Sequence, residues 1–265
     1  MPRLKIAALG SSFAAGPNIP PQVNKAAMRS GRNYAHLVAE RLDADLTDLT
    51  VSGATLLNVI KEPQVTMLRT TFKPQISLLP SDSDIVFLTG GGNDMNYSGG
   101  MISEALGQTP VIGGLLSGIA NKYGDGTTEL QALTARFVEV IDAIHKAAPK
   151  AKIILVEYLT VLGSDTKAGT DVSLSQDRVS HYQKLAEVLH TAYRHAAGAR
   201  SDFAESVPIA TLSGDHGVGS QQPWVDGCSV WMILRGFAPF HPNAAGHEAI
   251  ADVLCDKLRT FQAKL

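Results

Sequence analysis

Short apolar runs alternate along the chain with stretches whose apolar positions recur every three or four residues. Leu4 to Leu9 is a mostly apolar run that stops at Gly10, the pattern of a buried strand. Asn33 to Leu42 sets Tyr34, Leu37, Val38 and Leu42 on one stripe and predicts a helix. Leu46 to Val51 and Asp84 to Thr89 read as a second and third strand, the third running into three glycines. Thr128 and Gln131 have the spacing of a capping box. After them Leu130, Leu133, Phe137, Val140, Ile141 and Ile144 recur at helical spacing. Pro149 closes that helix, and AKIILVEYL is the fourth strand. A second long helix carries Val179, Tyr182, Leu185, Leu189 and Tyr193, with Gly198 as its expected C-cap. Val207 to Leu212 is a weaker fifth strand. Pro242 and Asn243 open a last helix with Ile250, Val253, Leu254, Leu258 and Phe261 inward.

Apolar strands alternating with amphipathic helices imply a mainly parallel sheet covered on both faces. Without a Pro/Ser-rich linker or an internal repeat, residues 1–265 read as one domain. In such sheets the reacting groups stand on loops beyond the C-terminal ends of the strands. Residues 97–126 and 213–236 resist assignment and read as lid or substrate-wall insertions.

Composition narrows the functions. Hydrophobic residues make up 45% of the 265, enough for a sizeable core. A formal net charge of -2, with no Lys/Arg-rich run, argues against a nucleic-acid partner and against an anionic membrane surface. No apolar segment reaches the length of a membrane span. The first apolar run passes straight into Gly10-Ser11-Ser12 rather than a cleavage site, which predicts a soluble cytoplasmic protein. Cys228 and Cys255 are able to pair but make neither a disulfide framework nor a metal set.

Four places have chemistry to offer. Ser12, in Gly10-Ser11-Ser12-Phe13, lies just past the first strand among small residues. Gly53, in Ser52-Gly53-Ala54, follows the second, where a missing Cβ lets an N–H approach a ligand. Asn93, in Gly90-Gly91-Gly92-Asn93-Asp94, follows the third, and its amide is a donor for a developing oxyanion. Phosphate-loop and dinucleotide patterns are absent there. His241, in Ala238-Pro239-Phe240-His241-Pro242, precedes the last helix. Of the other histidines, His36, His145, His181, His190 and His195 fall on helices with surface or packing roles. His247 borders the packed face. His216, beside Asp215, competes as a base. Taken singly, the first two places are better explained by ordinary turns.

Together, in this order, the four blocks resemble those of the SGNH hydrolases, also called the GDSL esterase/lipase family. Ser12, Gly53, Asn93 and His241 stand at its four signature positions, and FHPNAAGHEAIA is the strongest piece. The resemblance implies an α/β fold, a three-layer α/β/α sandwich of flavodoxin-like kind. It also implies a serine esterase acting through an acyl-enzyme on a small-molecule acyl ester, without metal or cofactor. Ser12 would be the nucleophile, His241 its general base, and Ser12 N–H, Gly53 N–H and the Asn93 amide the oxyanion hole. Ser11 stands where the family has an aspartate, a change that mainly affects how the serine loop is held. Ala238 stands where the triad acid belongs. A backbone carbonyl, most simply that of Ala238, would then orient the histidine. Asp215 or Asp226 reaching in, or an impaired or engineered site, are the other readings.

Acyl transfer at the same site and a non-catalytic binding module are the rival functions. Leu106, Val111, Ile112, Leu115, Leu116, Ile119, Trp224 and Trp231 either accept an apolar group or pack a long loop. A charged fraction of 18%, against about 25% in average domains, fits an oily cleft or a homodimer surface equally.

Overall fold

The computed structural model describes residues 3–107, 126 and 128–262, with the side chains of 260–262 left aside. Of the expected inward residues, Val111, Ile112, Leu115, Leu116, Ile119 and the Phe261 side chain lie outside that set.

Five parallel strands form the central sheet: β1 (Lys5–Gly10), β4 (Asp45–Asp48), β7 (Ile85–Thr89), β8 (Lys152–Val156) and β9 (Ala204–Val207). Their spatial order is β4-β1-β7-β8-β9. The chain steps one way from β1 to β4 and then the other way from β7 to β9. Right-handed crossovers therefore put the helices on both faces. Helix α2 (Tyr34–Arg41) packs against the last helix, α9 (Ala244–Gln262). Helix α3 (Leu56–Ile60) packs against α5 (Leu130–Ala147), which pairs with α6 (Gln176–Gly198). The mainly parallel α/β sandwich is as expected, and its reversal of strand order lies at β1, where such sheets open a crevice for ligands. Among the described residues no helix is long and apolar enough to cross a membrane.

Beside the sheet lie the one-turn helix α1 (Ser12–Ala15) and the short hairpins β2–β3 (Gln22–Asn24, Arg29–Ser30) and β5–β6 (Gln64–Val65, Thr71–Phe72). The remaining helices are α4 (Tyr97–Gly107), α7 (Ile209–Leu212) and α8 (Val230–Leu234). Every residue of β7 is buried, as are Ile6 to Gly10 of β1. On the helices Leu133, Phe137, Val140, Ile141 and Ile144 close the core from α5, and Ile250, Leu254 and Leu258 from α9.

Four local expectations fail, each for a stated reason. The fifth strand is Ala204–Val207, not Val207 to Leu212. Pro208 has no N–H for the ladder, and the chain turns into α7 instead. The second strand ends at Asp48 rather than Val51. The Asp48 carboxylate accepts from the Thr50 N–H (2.9 Å) and hydroxyl (2.6 Å), a local turn that competes with the strand. Helix α5 begins one residue later than a Thr128 cap requires, so Glu129 is its N-cap and makes no side-chain bond. Gly198 is the last residue of α6, and Ala199 ends it in a right-handed conformation that needs no glycine. Cys228 and Cys255 are free thiols.

Two buried side chains from outside the central strands fix where β1 and β7 stop. Gln75 donates to the Gly10 carbonyl (2.9 Å) and accepts from the Gly10 N–H (2.8 Å). The Tyr193 hydroxyl donates to the Gly90 carbonyl (2.7 Å) and accepts from the Gly90 N–H (2.8 Å). Both glycines begin the turns that carry the candidate site. Replacing Tyr193 by Phe keeps the ring and leaves both Gly90 groups unpaired. The expected cost is about 1–3 kcal/mol of stability, read as a lower urea midpoint at unchanged m-value.

Candidate active site

The turn after β1 is shaped by crowding. Gly10 has φ +137, and a Cβ there would overlap the Thr89 carbonyl of the neighbouring strand. Ser11 N–H then bonds Thr89 O at 2.9 Å, and α1 starts at Ser12. Starting a helix leaves the Ser12 N–H without an intrahelical acceptor. The Gly53 N–H, in a left-handed turn of φ +83, likewise meets no acceptor among the described residues. Asn93 holds that turn from the side, its Nδ2 donating to Ala54 O at 2.8 Å. An amide nitrogen has two hydrogens, so one remains for the cavity that Asn93 lines.

His241 arrives from the far end of the chain. Asp226 N–H donates to His241 O (2.9 Å), Phe240 N–H to Asp226 O (3.1 Å) and Asn243 N–H to Trp224 O (2.9 Å). The segment 224–227, within one of the expected insertions, thus clasps the histidine strand. Phe240 is fully buried with φ +58, a conformation costing a bulky residue about 1–3 kcal/mol. It turns the chain so that the histidine ring comes back over the preceding peptide.

The structure brings Ser12 and His241 together: Oγ and Nε2 are 2.8 Å apart. The other ring nitrogen, Nδ1, lies 2.7 Å from the Pro239 carbonyl. A carbonyl only accepts, so Nδ1 carries the hydrogen and Nε2 faces Ser12 as an acceptor. The orienting carbonyl is therefore that of Pro239, not of Ala238. Ala238 is occupied otherwise: its carbonyl accepts from Asn18 Nδ2 (2.8 Å) and its N–H donates to Asn18 Oδ1 (2.7 Å). Asp226 also stops short of the ring, accepting from Asn18 Nδ2 at 2.9 Å. Asp215 and His216 belong to a separate groove. There the His216 ring stacks on Trp224 at 3.8 Å and its Nδ1 meets Gln222 O at 2.8 Å. Burial pushes the His241 pKa down to about 4, against a smaller opposing pull from the Pro239 carbonyl.

Three supporting residues were given no role at the site by the sequence, although Asp94 and His247 lie within its blocks and Tyr158 just past a strand end. Tyr158, just after β8, stacks on Phe13 at 3.9 Å and bonds Ser11 Oγ at 2.6 Å. Its ring also packs so close to Gly92 that a Cβ there would overlap it. One side chain therefore ties the serine turn to the asparagine turn, and Ser11 does the holding expected of a family aspartate. Asp94, fully buried, accepts from the Leu56 N–H at 3.0 Å and pairs with Arg136 at 3.3 Å. Burial raises its pKa to about 6, partly opposed by those two donors. His247 is fully buried, its Nδ1 accepting from the Tyr34 N–H at 3.0 Å.

The cavity over Ser12 has a volume of about 280 Å³. Its walls are mostly apolar: Met28, Met67, Leu68, Ile102, Leu106, Ile233 and Phe237 stand around Ser12, Gly53, Asn93 and His241. Among the described residues no group of three His, Cys, Asp or Glu side chains is placed to hold a metal ion.

The model of the GDSL-like lipase/acylhydrolase family matches residues 8–249. The chain belongs to that family. Membership makes it a carboxylic ester hydrolase. Lipase 2 of Streptomyces coelicolor is 27% identical over 264 residues, covering 97% of this chain and 86% of that protein. Two solved structures share the fold of this GDSL-family chain. A phospholipase A1 from Streptomyces albidoflavus has a TM-score of 0.74 at 19% identity, covering 97% of this chain and 100% of that one. An extracellular lipase from Streptomyces rimosus has a TM-score of 0.69 at 21% identity, covering 95% and 98%.

Asn18 holds Asp226 and both backbone groups of Ala238, so it sets the start of the histidine turn. Asn18→Ala is expected to lower kcat/KM for a small ester about 10- to 100-fold by loosening that turn. The thermal midpoint, measured alongside, should move by only a few degrees.

Proposed function

We propose that this ester hydrolase works through an acyl-enzyme on Ser12, with His241 as general base and acid. The single observation that carries the reading is the 2.8 Å bond between Ser12 Oγ and His241 Nε2. A serine hydroxyl is a poor nucleophile until a base removes its proton during attack. Here Nε2 takes that proton as Oγ adds to the ester carbonyl. The carbonyl oxygen, now an anion, is met by the N–H groups of Ser12 and Gly53 and the free hydrogen of the Asn93 amide. Collapse breaks the C–O bond, and the alcohol leaves with the proton from Nε2. Water then repeats the sequence on the acyl-enzyme and releases the acid.

The Pro239 carbonyl fixes the tautomer but brings no negative charge. It therefore orients the ring as an aspartate would, while stabilising the imidazolium less. An apolar wall around the reacting atoms favours an ester with an apolar acyl or alcohol group. The phospholipase and lipases to which the chain is similar act on esters of that description by name, which agrees.

Ser12→Ala should lower p-nitrophenyl acetate turnover by at least about 1,000-fold, and turnover equal to the parent would overturn the assignment. A fluorophosphonate should label the parent and not the variant.

The pH profile supplies an independent test. A base works only unprotonated, and a lowered pKa keeps it unprotonated to lower pH. The acid limb of kcat/KM should therefore lie near pH 4, where His241 titrates, and not near the ordinary histidine value of about 6.5. A limb near 6 that disappears in Asp94→Asn belongs to Asp94. A limb near 6.5 that survives it contradicts the geometry.

A further inference from the structure

The surface around the cavity mouth is apolar beyond what packing requires. On one side is the β5–β6 hairpin, where Val65, Met67 and Leu68 are 65%, 70% and 65% exposed. On the other is α8 with the residues after it, where Trp231, Leu234 and Phe237 are 71%, 66% and 43% exposed. The two belong to one mouth. Met67 and Leu68 from the hairpin, and Ile233 and Phe237 from the helix side, line the same cavity as Ser12 and His241. Clusters of this kind on a soluble protein mark a surface that something covers.

Charge narrows what covers it. Residues 64–72 hold one charged side chain, Arg69, and residues 229–238 hold one, Arg235. Both are exposed, and no acidic residue lies in either segment. Large apolar side chains interleaved with isolated arginines match a lipid boundary, with hydrocarbon beneath and phosphate at the level of the guanidinium groups. Tryptophan, apolar in body and polar at its N–H, suits that depth. The whole-chain charge conceals this, because the attraction is chiefly apolar and involves two arginines.

We propose that this rim docks the enzyme onto a phospholipid surface, with Val65, Trp231 and Leu234 entering the boundary and the cavity mouth facing the lipid. The proposal rests on the ester-hydrolase reading of the Ser12–His241 site. A second copy of the chain would cover the same side chains but would close the entrance through which the ester must come. A lipid surface covers them and delivers the ester through it.

The test uses Ser12→Ala protein, so that binding is read without turnover. It is mixed with phosphatidylcholine vesicles, alone or blended with phosphatidylglycerol. The chain has two tryptophans. Trp224 is stacked on His216, whereas Trp231 is exposed. Co-sedimentation and a blue shift of tryptophan emission are expected, stronger with the anionic blend, and the shift should vanish in Trp231→Phe. The pair Trp231→Ser and Leu234→Ser should weaken vesicle binding about tenfold or more. In the parent with Ser12 intact, the same pair should leave p-nitrophenyl acetate turnover unchanged. Absence of vesicle binding, or binding unaffected by the pair, overturns the proposal. So does a dimer that the pair dissolves in a protein that ignores vesicles, since the rim then belongs to a second copy. Vesicle binding by a parent that turns over no ester would instead sink the hydrolase reading and leave the docking surface standing.

Discussion

The site hangs from the pairing of β1 with β7, and in particular from where that pairing stops. Gly10 lies opposite Thr89, and the approach is too close for any side chain. The strands end level with each other, so the turns that follow emerge side by side. One carries Ser12 and the other Asn93. Gln75 and Tyr193 satisfy the peptide groups at those two ends, which would otherwise be buried polar groups without partners. Tyr158 then joins the turns across the sheet's edge. The donors proposed for the oxyanion are thus held before substrate arrives, which is the condition under which such donors help most.

The histidine is held by a different economy. It has no acid, and its ring is buried. A buried carboxylate at position 238 would have needed partners of its own. The chain uses a peptide carbonyl instead, already present and uncharged. The cost appears as backbone strain at Phe240, offset by the clasp with residues 224–227 and by the Asn18 bridge. The result is an imidazole whose pKa lies well below neutrality, so that in the proposed role of base it is free to accept a proton over a wide pH range but less able to keep it.

Asp94 shows the contrast. It too is buried, yet it keeps a guanidinium and a backbone N–H as partners. It links the asparagine turn to the start of α3, so the Gly-Gly-Asn-Asp block serves geometry on one residue and, in the proposed mechanism, chemistry on its neighbour.

Periodicity alone disclosed the sheet, because buried parallel strands must be apolar throughout and covering helices must be apolar on one stripe. The four blocks disclosed the family, since each is a local pattern at a strand end or helix start, and Ser12, Gly53, Asn93 and His241, which they contain, line one cavity. Element ends were less legible: Asp48, Pro208 and Glu129 moved boundaries by side-chain bonds or missing ones that no periodicity records. What only the tertiary structure decided was everything that depends on two distant segments touching. Pro239 rather than Ala238 facing the ring, Asn18 reaching a turn some 220 residues away, and Tyr158 bridging two loops are of that kind. A carbonyl is present at every position, so its role cannot be written in a residue type. It follows from the direction in which a φ of +58 at Phe240 turns the chain.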